Sequence, residues 1–255
     1  MRKVLIKTEE EMSIMAEGGA KLAYVRDELA KAVKPGLSSW DIDHLADELI
    51  ESVGAYPSFK KVPRYSWSTC INVNSGIVHG IPKKSVIFKE GDMVSVDVGV
   101  FYKGFHTDTA VSVYLGNDPE IKHFWQIGQK SLNDGIKQAQ NGNLIGQISA
   151  AVENTLVSNN YYPVKELTGH GVGRDLHEAP YIPCFVSNSE EEKVEIKTGF
   201  VLAIEVMYTI GKADITYDPD GWTIRTKNGK IAALFEETVA VTSKGTKILT
   251  SASKL

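Results

Sequence analysis

The chain runs twice through the same order of elements, two helices followed by strands, and this repeat narrows the architectures open to it. Residues 8–34 place Met12, Met15, Gly19, Leu22, Ala23, Val25, Leu29 and Val33 largely on one stripe at helical spacing. Thr8 with Glu11 three positions later has the pattern of a capping box, and Lys34-Pro35-Gly36 ends the run. A second helix is predicted from residue 38 or 39 to 53, with Ile42, Leu45, Ala46, Leu49 and Ile50 as its apolar face. Asp41 and Asp43 lie in its first turn, where the helix dipole favours them, and Gly54 stops it. Strand signals follow at 70–74, 93–102 and 105–115, the last two joined by a turn at Lys103-Gly104. Helical spacing resumes at 120–140 and 144–159, and strands return at 164–167, 200–210, 222–226 and 234–241, with a short closing strand to Leu249. The expectation is an α+β chain of two similar halves related by a pseudo-two-fold. It rests on element order, because the halves share no obvious residue identity. Without a low-complexity linker between them, residues 1–255 read as a single domain.

The 255 residues, 42% apolar and 24% charged, suffice for a sizeable core without covalent staples. The 28 basic and 32 acidic residues leave a net charge of −4, so no strong basic field draws the chain to nucleic acid. Cys70 and Cys184 form no C-x-x-C pair and imply no disulfide framework, which fits a reducing compartment. The N-terminal apolar run, Val4-Leu5-Ile6, is too short for a secretory signal, and no segment has the length of a membrane span. A cytoplasmic protein with no membrane association is expected.

Asp97, Asp108, His170, Glu205 and Glu236 each interrupt a locally apolar, strand-like stretch. A carboxylate in a buried strand is costly unless something neutralises it. Oxygen-rich groups joined by one imidazole suit divalent ions such as Mn, Fe(II), Co or Zn. Asp97 and Asp108 stand on the two arms of a predicted hairpin, which can set them side by side on one face. Such a pair needs a proton or a cation between its members. Alternation equally permits both on an exposed outer face. Glu205 breaks the run Phe200-Val201-Leu202-Ala203-Ile204 and precedes Val206-Met207, as in a strand buried on both faces. Glu236 has a similar setting. For both glutamates the partner is a metal cation or a buried salt bridge to arginine or lysine, with Arg174 and Arg225 as candidates. Three histidines, His79, His170 and His177, lie in Gly- or Pro-rich segments read as turns, where glycine permits tight bends and close approach of a ligand. The Gly169–Gly173 segment lacks the third glycine of a dinucleotide loop and no Gly-Lys-Ser/Thr ending is present, so a phosphate loop is excluded. The charge cluster at 189–195 reads as a solvated loop.

Taken together, these segments resemble the methionine aminopeptidases. The resemblance is carried by Gly169-His170-Gly171-Val172-Gly173-Arg174-Asp175-Leu176-His177-Glu178-Ala179-Pro180, by Asp97-Val98-Gly99, and by Gly104-Phe105-His106-Thr107-Asp108-Thr109. Ile204-Glu205, Phe235-Glu236-Glu237-Thr238, and Asn72-Val73-Asn74 followed by Val78-His79-Gly80-Ile81-Pro82 add to it, in the family's order over essentially the whole chain. Without a long N-terminal extension or a helical insert, the chain resembles the bacterial-style type 1 enzymes. The resemblance implies the pita-bread fold, an internally duplicated α+β unit with its site in a central cleft. It implies a centre of two divalent ions, Co, Mn, Fe(II) or Zn. Asp97 would bind one, His170 and Glu205 the other, and Asp108 and Glu236 would bridge both. Glu205 would also act as general acid/base, His79 would contact the scissile amide nitrogen, and His177 would stabilise the oxyanion. The methionine pocket would be drawn from Phe59, Val62, Tyr65, Cys70, Leu176 and Trp222, with Val62 and Leu176 where the family commonly has aromatic residues. The implied substrate is the N-terminal methionine of nascent polypeptides with a small second residue, met by a monomer in transient contact with the ribosome. Val206, Glu237 and Cys184 depart from the family pattern, which bears on how the ligands are oriented. Rival readings are a proline-specific peptidase of the same fold, a non-catalytic binding relative, and a single-metal or phosphoesterase-like enzyme.

Overall fold

A computed structural model describes residues 3–212 and 214–251. The two helical pairs are α1 (Glu9–Ala32) with α2 (Ser39–Ser52), and α3 (Pro119–Gln138) with α4 (Ile145–Val157). Their boundaries follow local chemistry. Thr8 and Ser38 each form a reciprocal capping box, with Glu11 and Asp41. Asp118 caps α3 ahead of Pro119, a residue suited to a first helical turn. Asp43 has a different role from the dipole partner expected. It is buried, and its carboxylate accepts from the Ser68 and Thr69 amides, both at 2.9 Å, tying α2 to the strand that begins at Thr69. No described helix is long and apolar enough to cross a membrane.

The strands are β1 (Tyr56–Pro57), β2 (Thr69–Val73), β3 (Gly76–Val78), β4 (Met93–Tyr102), β5 (Phe105–Tyr114), β6 (Tyr161–Pro163), β7 (Thr168–Gly171), β8 (Glu178–Pro183), β9 (Val201–Ile210), β10 (Ile215–Tyr217), β11 (Ile224–Thr226), β12 (Ala232–Thr242) and β13 (Gly245–Ile248). One large antiparallel sheet runs in the order β1-β4-β5-β12-β9-β7-β8, with β2 beside β4, β6 beside β9 and β13 beside β12. β10, β11 and β3 form a smaller sheet.

Side-chain alternation in a strand sends successive residues to opposite faces. In β4, Val94, Val96, Val98 and Val100 pack on α1 and α2, while Asp97 faces away from those helices. In β9, Leu202, Ile204, Val206 and Tyr208 join the core built with α3 and α4, and Glu205 faces away. Each helical pair thus covers the back of one half of the sheet. The chemistry-bearing residues are left on the concave front.

The N-terminal half of the sequence expectation is close to the structure, and the second half needs corrections. Residues 164–167 form no strand; the pairing segments lie on either side, in β6 and β7. The His170 segment, read both as a strand-like stretch and as a glycine-rich turn, is β7, paired with both β8 and β9. β8 was not expected, because Pro180 and Pro183 argue against a strand, and it is accommodated at the sheet's end, where missing donors cost least. In the charge cluster read as solvated, Glu192 is buried and accepts from Ser187 Oγ and the Asn188 amide at 2.9 Å.

Candidate metal centre

Four neighbouring strands align Asp97, Ala110, Glu236 and Glu205 in one transverse row. Asp97 pairs with Ala110, Ala110 with Glu236, and Glu236 with Glu205. Residues in register project to the same face, so three carboxylates point into the cleft around one methyl group. Asp108 precedes Ala110 by two positions and therefore shares its face. It lies opposite Gly99, where a β-carbon would stand 3.2 Å from Asp108 Oδ1 and 2.9 Å from Ser58 Cβ. His170 pairs with Ala203, two positions before Glu205, and so joins the same face from β7. One ligand atom from each of Asp108, His170 and Glu236 lies within 4.8 Å of the others. His170 Nε2 is 3.7 Å from Glu205 Oε1. Asp97 and Asp108 are diagonal neighbours across the hairpin, so the expectation of convergence on one face holds and the exposed outer-face alternative does not.

The electrostatics of this cluster are unusual for carboxylates. Burial, then mutual repulsion, pushes Asp97, Glu205 and Glu236 well above the usual carboxylate range, and burial pushes Asp108 in the same direction. The arginine alternative fails: Arg174 pairs with Glu11, and Arg225 with Asp218. Among the described residues no lysine or arginine forms an ion pair with any of the four acids. Asp97 Oδ1 and Glu236 Oε1 are buried without any hydrogen-bond partner. Native proteins rarely leave such oxygens unsatisfied, and divalent cations are the partners this donor set suits.

His170 is prepared as a neutral ligand. Burial lowers its pKa to about 3, so its approach to Glu205 is not an ion pair. Its Nδ1 lies 2.9 Å from the Gly171 carbonyl, which can only accept. The proton therefore sits on Nδ1, leaving the Nε2 lone pair free towards the cleft.

His79 projects from a left-handed backbone position, φ +56°. The chain beyond it passes so close to β2 that a β-carbon on Gly80 would stand 2.1 Å from the Ile71 carbonyl oxygen. Burial and the nearby His177 lower the His79 pKa to about 4. The His177 ring meets that of His170 edge to face at 4.4 Å. It keeps an open side to solvent, although the protein crowded around it lowers its pKa. Its loop is anchored from behind by the buried Lys7–Glu178 ion pair; Glu178 also accepts from the Arg174 amide at 2.7 Å.

Beside the acids lies an apolar pocket. Phe59, Tyr65, Cys70 and Leu176 are buried together, with Val62 and Trp222 packed around them. Tyr65 meets Phe59 at 6.4 Å and Trp222 at 5.1 Å, both edge to face, and its hydroxyl donates to the Thr69 carbonyl at 2.8 Å. All thirteen residues singled out from the sequence line one cavity that opens to solvent. Val78 lines it too and was missed; its place next to His79 was the available signal. The three departures from the family pattern serve the fold. Val206 packs in the core, Cys184 Sγ donates to the Glu205 carbonyl at 3.2 Å, and Glu237 pairs with Arg26 at 2.8 Å.

The model of metallopeptidase family M24 matches residues 13–243. The methionine aminopeptidase 1 of Bacillus subtilis (strain 168) is 38% identical over 248 residues, covering 97% of this chain and 99% of that protein. The methionine aminopeptidase of Aquifex aeolicus (strain VF5) is 37% identical over 250 residues, covering 95% and 97%. The crystal structure of methionine aminopeptidase from Thermotoga maritima superposes with a TM-score of 0.93 at 36% identity, covering 98% of this chain and all of that one. The similarity extends over nearly the full length of this chain and of these relatives, and the chain belongs to metallopeptidase family M24, among the methionine aminopeptidases of pita-bread fold.

Proposed function

We propose that this protein removes the N-terminal methionine of nascent proteins and peptides, with a preference for a small second residue, at a centre of two divalent metal ions. The observation that carries this reading is the partnerless, buried pair of oxygens on Asp97 and Glu236, set beside an aromatic pocket. Asp97 would hold one ion, His170 and Glu205 the other, and Asp108 and Glu236 both. The mutual approach of Asp108, His170 and Glu236 supports the shared positions. A bound metal pair would acidify a water, polarise the scissile carbonyl and anchor the free α-amine, restricting cleavage to the first peptide bond.

The protein's own side chains supply the rest. Glu205 takes the proton from the attacking water and delivers it to the leaving amide nitrogen. His79, neutral near pH 7, contacts the scissile nitrogen. His177 donates to the carbonyl oxygen as negative charge builds on it. Phe59, Tyr65 and Trp222 offer ring edges to a thioether sulfur, and Val62 and Leu176 leave that pocket with aliphatic walls.

Compartment and partners belong to the same proposal: a cytoplasmic monomer in transient contact with the ribosome, as a nascent-chain substrate requires. A site assembled from one chain supports the monomer. Oxygen donors with one imidazole accept Mn, Fe(II), Co or Zn.

The test is turnover by anaerobically purified protein reconstituted with each of these ions. Met-Ala-Ser should release methionine while Xaa-Pro peptides remain uncut. Preferential Xaa-Pro cleavage would favour a proline-specific peptidase, and no turnover with any ion would favour a non-catalytic relative.

A further inference from the structure

The two halves of the large sheet meet at a thin seam. β4 and β5 pair along their full lengths, as do most of β9 and β12, but β5 and β12 meet in backbone register only at Ala110 and Glu236. Asp108 and Glu236 stand on opposite sides of this seam. Their separation is therefore not set by an extended ladder of backbone hydrogen bonds.

Side-chain hydroxyls close the gap. Thr238 Oγ1 accepts from the Asp108 amide at 3.0 Å and donates to the Asp108 carbonyl at 2.7 Å. Thr109 Oγ1 donates to the Glu236 carbonyl at 2.7 Å. Behind these threonines, on the helix side of the sheet, Arg26 of α1 reaches into the seam. Its Nη1 shares two N–H groups among three acceptors, Glu237 Oε1 at 2.8 Å, the Thr250 carbonyl at 3.0 Å and Thr109 Oγ1 at 3.2 Å. Thr250 Oγ1 donates to the other Glu237 oxygen and accepts from the Thr238 amide at 2.9 Å. The side chains of Arg26 and Glu237 are only 12% and 20% exposed, so solvent screens the pair weakly.

We propose that Arg26 is a positioning residue for the metal centre: through Glu237, Thr109 and Thr250 it sets the spacing of Asp108 and Glu236 from the back of the sheet. The inference rests on the metal reading of the cleft. Hydrogen bonds behind a ligand commonly change metal affinity by about 10–100-fold. The guanidinium suits the task because its Nε and Nη2 hold Asp27 Oδ1 at 3.0 and 2.9 Å while Nη1 enters the seam, a division that a lysine's single nitrogen cannot make.

The test is Co(II) binding to the full chain by anaerobic calorimetry, with the visible ligand-field spectrum as a second readout. Arg26→Ala is expected to weaken Co(II) binding by about tenfold or more and to change the spectrum, while KM for Met-Ala-Ser stays near the wild-type value and kcat falls. Arg26→Lys should recover only part of the affinity. Thr109→Val, which removes a hydroxyl at nearly constant shape, provides the same readouts if Arg26→Ala does not fold, and should weaken Co(II) binding in the same direction. Folded Arg26→Ala or Thr109→Val protein with wild-type Co(II) affinity and spectrum overturns the inference, even if its melting temperature drops. Wild-type protein that binds no Co(II) overturns the metal reading instead.

Discussion

A carboxylate inside an apolar strand is informative because its cost must be met by something. Here the charged neighbours that could meet it are engaged elsewhere: Arg174 with Glu11, Arg225 with Asp218, and Arg26 with Glu237. What remains for Asp97, Asp108, Glu205 and Glu236 is each other, a neutral imidazole and a cavity. The two residues with the most distinct predicted roles can be separated from the fold by substitution. His79→Ala and Glu205→Ala are each expected to retain the wild-type circular dichroism spectrum and to lose about 10²–10⁴-fold in kcat on Met-Ala-Ser when reconstituted with metal. Full turnover by His79→Ala would remove His79 from the chemistry. Glu205→Ala should also weaken metal binding, because the same side chain is proposed to hold an ion and move a proton.

Single strands and turns carry the aim of these groups. The left-handed backbone at His79 is followed by a glycine with no space for a β-carbon, and β2 lies directly against it. Gly80→Ala must push the turn away from Ile71. The expected result is a loss of about 1–3 kcal/mol in unfolding free energy, with a fall in kcat beyond what the stability change explains. Urea unfolding and kinetics on the same preparation would show it; an unperturbed, fully active variant would mean that the turn has slack. Much at this level was legible in the sequence, including both capping boxes, the 93–102 strand and the turn at Lys103-Gly104. The failures at β7 and β8 share a cause. β7 and β8 contain glycine and proline at positions that local rules assign to turns, and they become strands because β9 offers an edge to β7, and β7 in turn to β8. Glu192 was read as solvated because its neighbours are charged, yet the Ser187 and Asn188 amides just before it in the same loop fold back onto its carboxylate.

For the molecule as a whole, the buried acids couple stability to pH in a direction opposite to the usual salt-bridged carboxylate. Their folded pKa values lie above the unfolded values of 3.8 and 4.5, so the metal-free fold holds protons that the unfolded chain has released. That contribution is fully present below the unfolded pKa values and is lost as pH rises through the folded ones. His79 and His170 shift the other way; their contribution is present above the unfolded value of 6.5 and is lost only on acidification. From pH 6.5 upward the histidines are therefore silent while the carboxylates still act. Chelator-treated protein should lose stability with rising pH in that window, by about 1.4 kcal/mol per pH unit for each proton retained. Added divalent metal should raise stability and flatten or reverse the slope, because cations replace those protons. Thermal melts with and without metal across the window would check it, and a metal-free protein that stabilises steadily with pH would contradict the buried cluster.

Alternation, helical spacing and capping chemistry act over a few residues, and they were enough to read the repeated α+β order, the residues that interrupt apolar runs and the motifs shared with a family. Which of those interruptions meet is a matter of register between strands distant in sequence. Nothing local places Asp97, Ala110, Glu236 and Glu205 in one row, or threads Arg26 behind the seam that joins the halves. Those relations arise from long-range pairing and from burial, which removes the water that would otherwise satisfy each charge separately.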